Sequence, residues 1–416
     1  MDTRKLAISV IAAAVIVTGC SSSATPTAPP ATPAPSVCPP ASGPLGIGSF
    51  DPSFCAMSQL TSVTSAGSGL VGVILPDVTT SARYTSYDLP YLKQAFAAAG
   101  YTSDQYKIDN ASGTTTTEVA IATADITAGA KVLLVDPLDG PTGLAIQTLA
   151  AQANIPYISY DRATFQGTTT YYVSFDNVQV GTLIGKGFMQ CVTDWKVASP
   201  QVFELDGGKD TDPNAISFAA GYNNVIWGTD LSANAQIAAG TTNSAGMTVV
   251  GDQIAPGWDN TQGQNVFQTA FTASPTINAT VEANDGLANA VITVLKGAGV
   301  KANTIPTTGQ DATIQGMENV LEGWQCGSVY KPIYLEAQAA VALATYLRAG
   351  QVPPTTLVNS TTKDPKSATT EPAVLLTPYW VNAKNMETTV IKDNFISVTD
   401  LCNAVTAAVC TAAGIS

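Results

Sequence analysis

At 416 residues the chain exceeds one typical domain, and a net charge of -13 with only 18 Lys and Arg leaves no clustered cations for a nucleic-acid surface. Histidine is absent, which removes Ser-His-Asp triads, Cys-His pairs and imidazole-zinc sites, and with them most hydrolase mechanisms. No residue pattern asks for a cofactor or a metal ion, and no nucleic-acid partner is expected.

Arg4 and Lys5 precede an apolar run from Leu6 to Val17, which closes on Val17-Thr18-Gly19-Cys20 before turning to Ser, Thr and Pro. The run is too short and too lightly flanked for a spanning helix and has the layout of a secretory signal over residues 1–19. Its last four residues resemble a bacterial lipobox, which implies that Cys20 is acylated and becomes the mature N-terminus. From Ala24 to Pro40 the chain alternates Ala, Thr, Pro and Ser without charge or apolar period, the composition of an extended tether. Residues 20–68 are therefore read as tether and N-terminal extension, holding a folded body at the outer face of the bacterial cell membrane. Six cysteines remain after Cys20, an even number that favours disulfides in an exported chain. They allow 15 pairings; sequence neighbours suggest Cys38 with Cys55 and Cys402 with Cys410, leaving Cys191 and Cys326 for the fold to bring together.

From Leu70 the pattern becomes regular. A strand at Val71 to Leu75, a polar loop at Pro76 to Ser86 and a helix from Leu89 to Ala99 form one unit. Strand Tyr106 to Ile108, helix Glu118 to Ala128, strand Lys131 to Val135, helix Thr142 to Ala153 and strand Ile155 to Tyr160 continue it. After Asp176 the alternation restarts, with helices at Val180 to Val192, Asn214 to Val225, Gln262 to Thr272 and Gly286 to Lys296. The strands between them are Gln201 to Leu205, Thr248 to Ile254 and Ala279 to Ala283. A strand near Thr304 to Thr308, helix Thr313 to Glu322, strand Ser328 to Tyr330, helix Tyr334 to Ala349 and strand Ala373 to Leu376 follow. Strands alternating with helices call for parallel sheets covered on both faces, and the restart calls for two of them: an α/β chain of two lobes.

Polar and aromatic groups gather at the strand ends: Arg83 and Tyr84, Asp136, Asp161 and Arg162, Asn214, Trp258, Asn284 and Asp285, Asp311, Lys331. In open parallel sheets ligands bind beyond the strand carboxyl ends. Carboxylates and amides pair with vicinal hydroxyls, Arg and Lys add charged donors, and aromatic faces cover a sugar ring, so this set suits a hydroxyl-rich ligand. Each residue also fits a plainer role. Asp161-Arg162 reads as a local ion pair, Asn214, Asn284 and Asp311 as helix caps, Tyr84 and Trp258 as core aromatics, and Lys331 as a solvated strand end.

The order and spacing of several motifs go further. Ser81-Ala82-Arg83-Tyr84, Ile158-Ser159-Tyr160-Asp161-Arg162, Val173-Ser174-Phe175-Asp176-Asn177, Gly257-Trp258, Glu282-Ala283-Asn284-Asp285, Thr308-Gly309-Gln310-Asp311, Val329-Tyr330-Lys331-Pro332 and Leu375-Leu376-Thr377-Pro378 resemble the periplasmic sugar-binding proteins of the type I solute-binding family. The xylose-binding and multiple-monosaccharide-binding members are the most similar, and the resemblance spans about 70–400. It implies two doubly wound parallel-sheet lobes joined by three crossings, near Ala163 to Thr170, Lys331-Pro332 and Val352 to Glu371. Lobe 1 would hold residues 69–165 with 332–355, and lobe 2 residues 170–330 with 370–416, so that Cys191 and Cys326 share a lobe. It further implies that Arg83, Tyr84, Asp161, Arg162, Asn214, Trp258, Asn284, Asp311 and Lys331 line a monosaccharide site that closes by hinge motion. A monomer handing its sugar to an ABC-type membrane permease is the implied function. Close relatives usually carry Trp where this chain has Tyr84, and often a tandem Asn pair near Asp212-Pro213-Asn214.

Three other readings compete. A transcriptional regulator with the same two-lobe sensor is not expected, because such proteins carry a helix-turn-helix where this sequence has a signal and a tether. A sensory lipoprotein would present the closed state to a membrane receptor instead of a permease. An exported carbohydrate-active enzyme would use a carboxylate pair such as Asp161 and Asp311; with Arg162 and Lys331 nearby both acids are expected to stay ionised, and no enzymatic activity is expected.

Overall fold

Apolar runs such as Leu70–Leu75 and residues 132–135 of the Ala130–Val135 strand become inner strands buried on both faces. The computed structural model describes residues 38, 43–165, 170–232, 235–364 and 370–415. The signal segment, Cys20, most of the tether and part of the expected 163–170 and 352–371 crossings lie outside the described residues.

In chain order, α1 (Thr61–Ala66) precedes β1 (Leu70–Leu75), α2 (Leu89–Ala98), β2 (Tyr106–Asn110), α3 (Thr115–Thr127), β3 (Ala130–Val135), α4 (Gly140–Gln152), β4 (Tyr157–Tyr160) and β5 (Thr170–Phe175). The second lobe takes α5 (Asn177–Asp194), β6 (Gln201–Asp206), α6 (Pro213–Trp227), β7 (Thr248–Ile254), α7 (Asn260–Ala273), β8 (Ala279–Glu282), α8 (Asp285–Gly297), α9 (Ile314–Leu321) and β9 (Ser328–Tyr330). The chain returns to the first lobe for α10 (Ile333–Arg348), β10 (Ser360–Lys363) and β11 (Thr370–Leu376). It ends in the second with β12 (Tyr379–Val381), α11 (Val398–Ala404) and α12 (Ala407–Ala412). The first sheet has the order β10-β11-β5-β4-β3-β1-β2, parallel except for β10. The second is smaller: parallel β7-β6-β8, with β9 and β12 as a separate antiparallel pair.

This topology corrects the sequence-based lobe boundaries. β5 and β11 pair with each other in the first sheet, so residues 170–175 and 370–376 belong to lobe 1. The chain crosses between lobes just after Phe175, at Lys331-Pro332 and just after Leu376. The expected strand near Thr304 to Thr308 does not form. Pro306 has no N–H to give, and the backbone N–H of Thr308 goes instead to the Glu282 carboxylate (2.8 Å). Nor is the whole extension a tether. Leu45, Phe50, Phe54, Met57 and Leu60 are buried in the first lobe's core. Gln338 on α10 donates to the Asp51 carbonyl, and Arg348 to those of Thr64 and Gly69. Disulfides join Cys38 to Cys55, Cys191 to Cys326 and Cys402 to Cys410, the second within lobe 2.

Helix starts set the loop positions that matter for the cleft. Asp212 caps α6, Asn284 caps α8 and Thr313 caps α9, each side chain accepting a first-turn backbone N–H. Of the three residues with an alternative reading as caps, only Asn284 is one. α6 lies hard against α5 because Gly181 and Gly221 face each other there. A Cβ on Gly181 would overlap the Phe218 carbonyl, and one on Gly221 that of Val178.

Candidate functional site

The strand ends of both sheets meet across one cleft, and all nine sequence-predicted residues line it. The cleft, its open mouth included, holds about 330 Å³ of empty space, most of its interior being filled by the lining side chains themselves. Tyr84 opens a π-helical turn, Tyr84–Asp88, that leads into α2 in place of part of the expected loop, Arg83 immediately precedes it, and Asp161 and Arg162 follow the end of β4. The second lobe supplies Asn214 from α6, Trp258 from the turn after β7, Asn284 and Asp311. Lys331 stands at the crossing after β9.

Asp161 is the centre of charge. It accepts from Arg83 Nη1 at 2.6 Å and from the Tyr84 hydroxyl at 3.3 Å, and Lys331 Nζ lies 3.6 Å away. Burial pushes its carboxyl up, but Arg83, Lys331 and Arg162 together outweigh that and hold it low, at about 2. Arg83 is itself buried and shared among three carboxylates, Asp88, Asp161 and Glu336. One cation cannot neutralise three acids. Burial raises the Glu336 carboxyl to about 8, Arg83 pulling against it and Asp161 and Asp88 adding to it. Arg83 thus organises the floor of the cleft with most of its donors already engaged.

Other contacts bridge the lobes. Lys331 Nζ lies 3.1 Å from Asp311, and Ser81 Oγ donates to the same carboxylate at 3.1 Å. Arg162 lies 3.9 Å from both Asp136 and Asp212, donates to Thr80 Oγ1 at 3.2 Å, and sits over the Tyr84 ring at 5.6 Å. Asn214 Nδ2 reaches the Asp161 carbonyl at 2.6 Å. The Trp258 indole N–H donates to Asp212 at 3.0 Å, with the ring packed closely against Gly207 and Gly208 and edge-on to Phe218. Asp161, Trp258 and Asp311 all have positive φ, 54°, 64° and 91°. Backbone in that region costs about 1–3 kcal/mol per residue and gathers at functional sites, where the surroundings over-determine it.

Five lining residues escaped the sequence reading: Thr80, Ser81, Asp212, Phe218 and Gln310. Three had a signal. Ser81 stands inside a motif already singled out, Gln310 adjoins Asp311, and Phe218 lies one helical turn after Asn214, on the same face. Asp212 stands two residues before the expected helix start at Asn214 and is itself the cap of α6. Gln310 Oε1 is buried without a hydrogen-bond partner among the described residues, an acceptor at the cleft wall. Asp136 does not line the cleft; it lies buried beneath Arg162, and burial holds its carboxyl well above the usual range.

A family model described as a periplasmic binding protein domain matches residues 71–351. The chain is 32% identical over 296 residues to a D-xylose-binding periplasmic protein of Escherichia coli (strain K12), covering 71% of this chain and 82% of that protein. It is 28% identical over 334 residues to the multiple sugar-binding periplasmic protein SbpA of Azospirillum brasilense, covering 78% and 89%. Among solved structures, a carbohydrate transporter solute binding protein from Chloroflexus aurantiacus in complex with D-glucose superposes with a TM-score of 0.66 at 24% identity, over 80% of this chain and 98% of that one. A Caulobacter myo-inositol binding protein bound to myo-inositol gives 0.60 at 18%, over 77% and 96%. At these identities the structural matches show a shared fold.

Proposed function

The chain belongs to the periplasmic binding protein family, and from that premise we propose that it is the extracytoplasmic sugar-binding component of an ABC-type importer. Its ligand in this reading is a xylose-like monosaccharide, an aldopentose or aldohexose, taken into the cleft between the lobes. The observation that carries the reading is the disposition of acceptors and donors. Ionised Asp161 and Arg162 project from one lobe, Asn214, Asn284 and Asp311 from the other, and the Tyr84 and Trp258 rings lie between them. Such an array pairs with the vicinal hydroxyls of one small ring and leaves apolar faces for its C–H surface. An ionised, cation-paired Asp161 suits hydroxyl recognition and is ill suited to protonating a leaving group. The named relatives bind D-xylose and several sugars, which supports the ligand class. A thermal-shift screen of the purified protein against common pentoses and hexoses tests it. Stabilisation by at least one is expected, and no response to any of them overturns the reading.

We also propose that Cys20 carries lipid, on the strength of Val17-Thr18-Gly19-Cys20. Intact mass of membrane-extracted protein should show an acylated N-terminal Cys20; a mature form that starts elsewhere without lipid contradicts this.

A further inference from the structure

Asp285 opens α8, is buried with 0% exposure, and lines no part of the cleft. Its carboxylate nevertheless takes four donors. Oδ1 accepts from Gln325 Nε2 and Ser328 Oγ, both at 2.8 Å, and Oδ2 from the Thr313 backbone N–H at 2.8 Å and its hydroxyl at 3.0 Å. Its own backbone N–H donates to the Gln310 carbonyl at 3.0 Å. These partners lie on the two segments that flank and support the turn presenting Asp311. No Arg or Lys forms an ion pair with Asp285 among the described residues, so the group stays in a dry site on hydrogen bonds alone. Burial raises its carboxyl to about 7, with the Asp311 charge adding to that, although Ser328, Gln325 and Thr313 favour the ionised form.

The turn needs such support. Asp311 and the following Ala312 have φ of 91° and 47°, which for residues with a Cβ must be held by the surroundings. Asp311 N–H reaches the Val329 carbonyl at 2.8 Å, Ala312 N–H reaches Ser328 Oγ at 3.0 Å, and Val329 N–H reaches the Gly309 carbonyl at 3.0 Å. Gly309 and Gly316 close in from either side, where a Cβ would overlap the Asp285 carboxylate. The segment that carries Gln325 and Ser328 is tied to α5 by the Cys191–Cys326 bond and to the Thr307 carbonyl by the Cys326 N–H at 2.9 Å.

We propose that Asp285 is the positioning residue for Asp311: a buried hub which, through donors on the disulfide-anchored 325–328 segment and on Thr313, fixes the strained turn that aims Asp311 at Lys331 and the cleft. The part of this that concerns affinity rests on the sugar-binding reading; the part that concerns the turn does not. The test uses Asp285→Asn in the full protein, an isosteric change that turns half of the acceptor pair into a donor facing donors. Amide hydrogen exchange is read at 311–313 and in β6, and binding of D-xylose and D-glucose by calorimetry. The variant should speed exchange at 311–313 by about tenfold or more, the scale of one lost buried hydrogen bond, and leave β6 protection unchanged. It should weaken sugar binding by about tenfold in the wild-type background and by less than about twofold in an Asp311→Ala background, since a residue that acts through Asp311 has nothing left to position. Gln325→Leu, which removes one donor to the same hub and makes no bond to 311–313, should show the same pattern and serves if Asp285→Asn does not fold. Unchanged exchange at 311–313, or an equal affinity loss in both backgrounds, overturns the proposal. If the wild-type protein binds neither sugar, the ligand reading falls and the exchange result alone decides this one.

Discussion

Asp161 and Arg162 are neighbours in sequence with opposite structural duties, and this sets what their removal should do. Asp161 balances Arg83 and Lys331, whereas Arg162 reaches across to Asp212 in the other lobe while lying over Tyr84. Asp161→Ala and Arg162→Ala should each weaken sugar binding by roughly 2 to 5 kcal/mol with cooperative unfolding retained, because each strands polar partners in a dry cleft. Calorimetry checks this, and affinity within about threefold of wild type contradicts it. Arg83→Ala should behave differently. It leaves Asp88, Asp161 and Glu336 buried around a missing cation, a loss of about 3 to 5 kcal/mol of fold stability, visible as a lowered melting temperature with no sugar present. A variant that melts like wild type and only binds sugar more weakly would make Arg83 a ligand donor first.

Among the elements, the loop after β6 and the turn after β7 act as a pair. Trp258 lies so close over Gly207 that a Cβ there would overlap its ring. Gly207→Ala should therefore displace the indole from Asp212 and cost roughly 1 to 3 kcal/mol of sugar affinity, about the value of the aromatic contact. Because Trp258 lines the cleft, sugar is expected to change its fluorescence, and this change should be lost in the variant; a variant with the wild-type signal and affinity would show that the ring does not need this seat. These elements also show what the sequence could disclose. The β4 apolar run and its Asp161-Arg162 ending were legible because a buried parallel strand needs a continuous run and a polar stop. The membership of β5 and β11 in the first sheet was not legible, because an apolar run does not reveal which neighbour it pairs with. The burial of Phe54, Met57 and Leu60 was hidden by a polar, Pro-rich approach, and Asp212 by placing the start of α6 at Asn214, two residues after its true cap. Positive φ at Asp161, Trp258 and Asp311 leaves no mark in the sequence at all, since none of the three is glycine.

Across the whole molecule, buried acids set the response to pH. Burial, the largest influence on each, raises the carboxyls of Glu118 and Glu282 to about 8, against roughly 4.3 in an unfolded chain. Between those values the folded state holds protons that the unfolded state has released, so their contribution to stability is greatest at low pH and is lost as pH rises toward 8. Asp161, held at about 2, acts in the opposite sense, and its contribution is lost only as pH falls from about 4 toward 2. The melting temperature should therefore be higher near pH 5 than near pH 8, roughly the two ends of that window; an equal or higher value at pH 8 contradicts the assignment.

The same scale holds the central claim, that the cleft works by closure. Ser81 with Asp311, Arg162 with Asp212 and Asn214 with Asp161 already join the lobes here, which makes this the shut form; we propose that the sugar-free protein also opens, and that a ligand touching both lobes stabilises the shut form by its extra contacts there. Small-angle scattering during a sugar titration is the most direct measurement. The account predicts that the radius of gyration falls along the saturation curve given by calorimetry. A scattering curve that does not change at saturating sugar, although calorimetry shows binding, would contradict it.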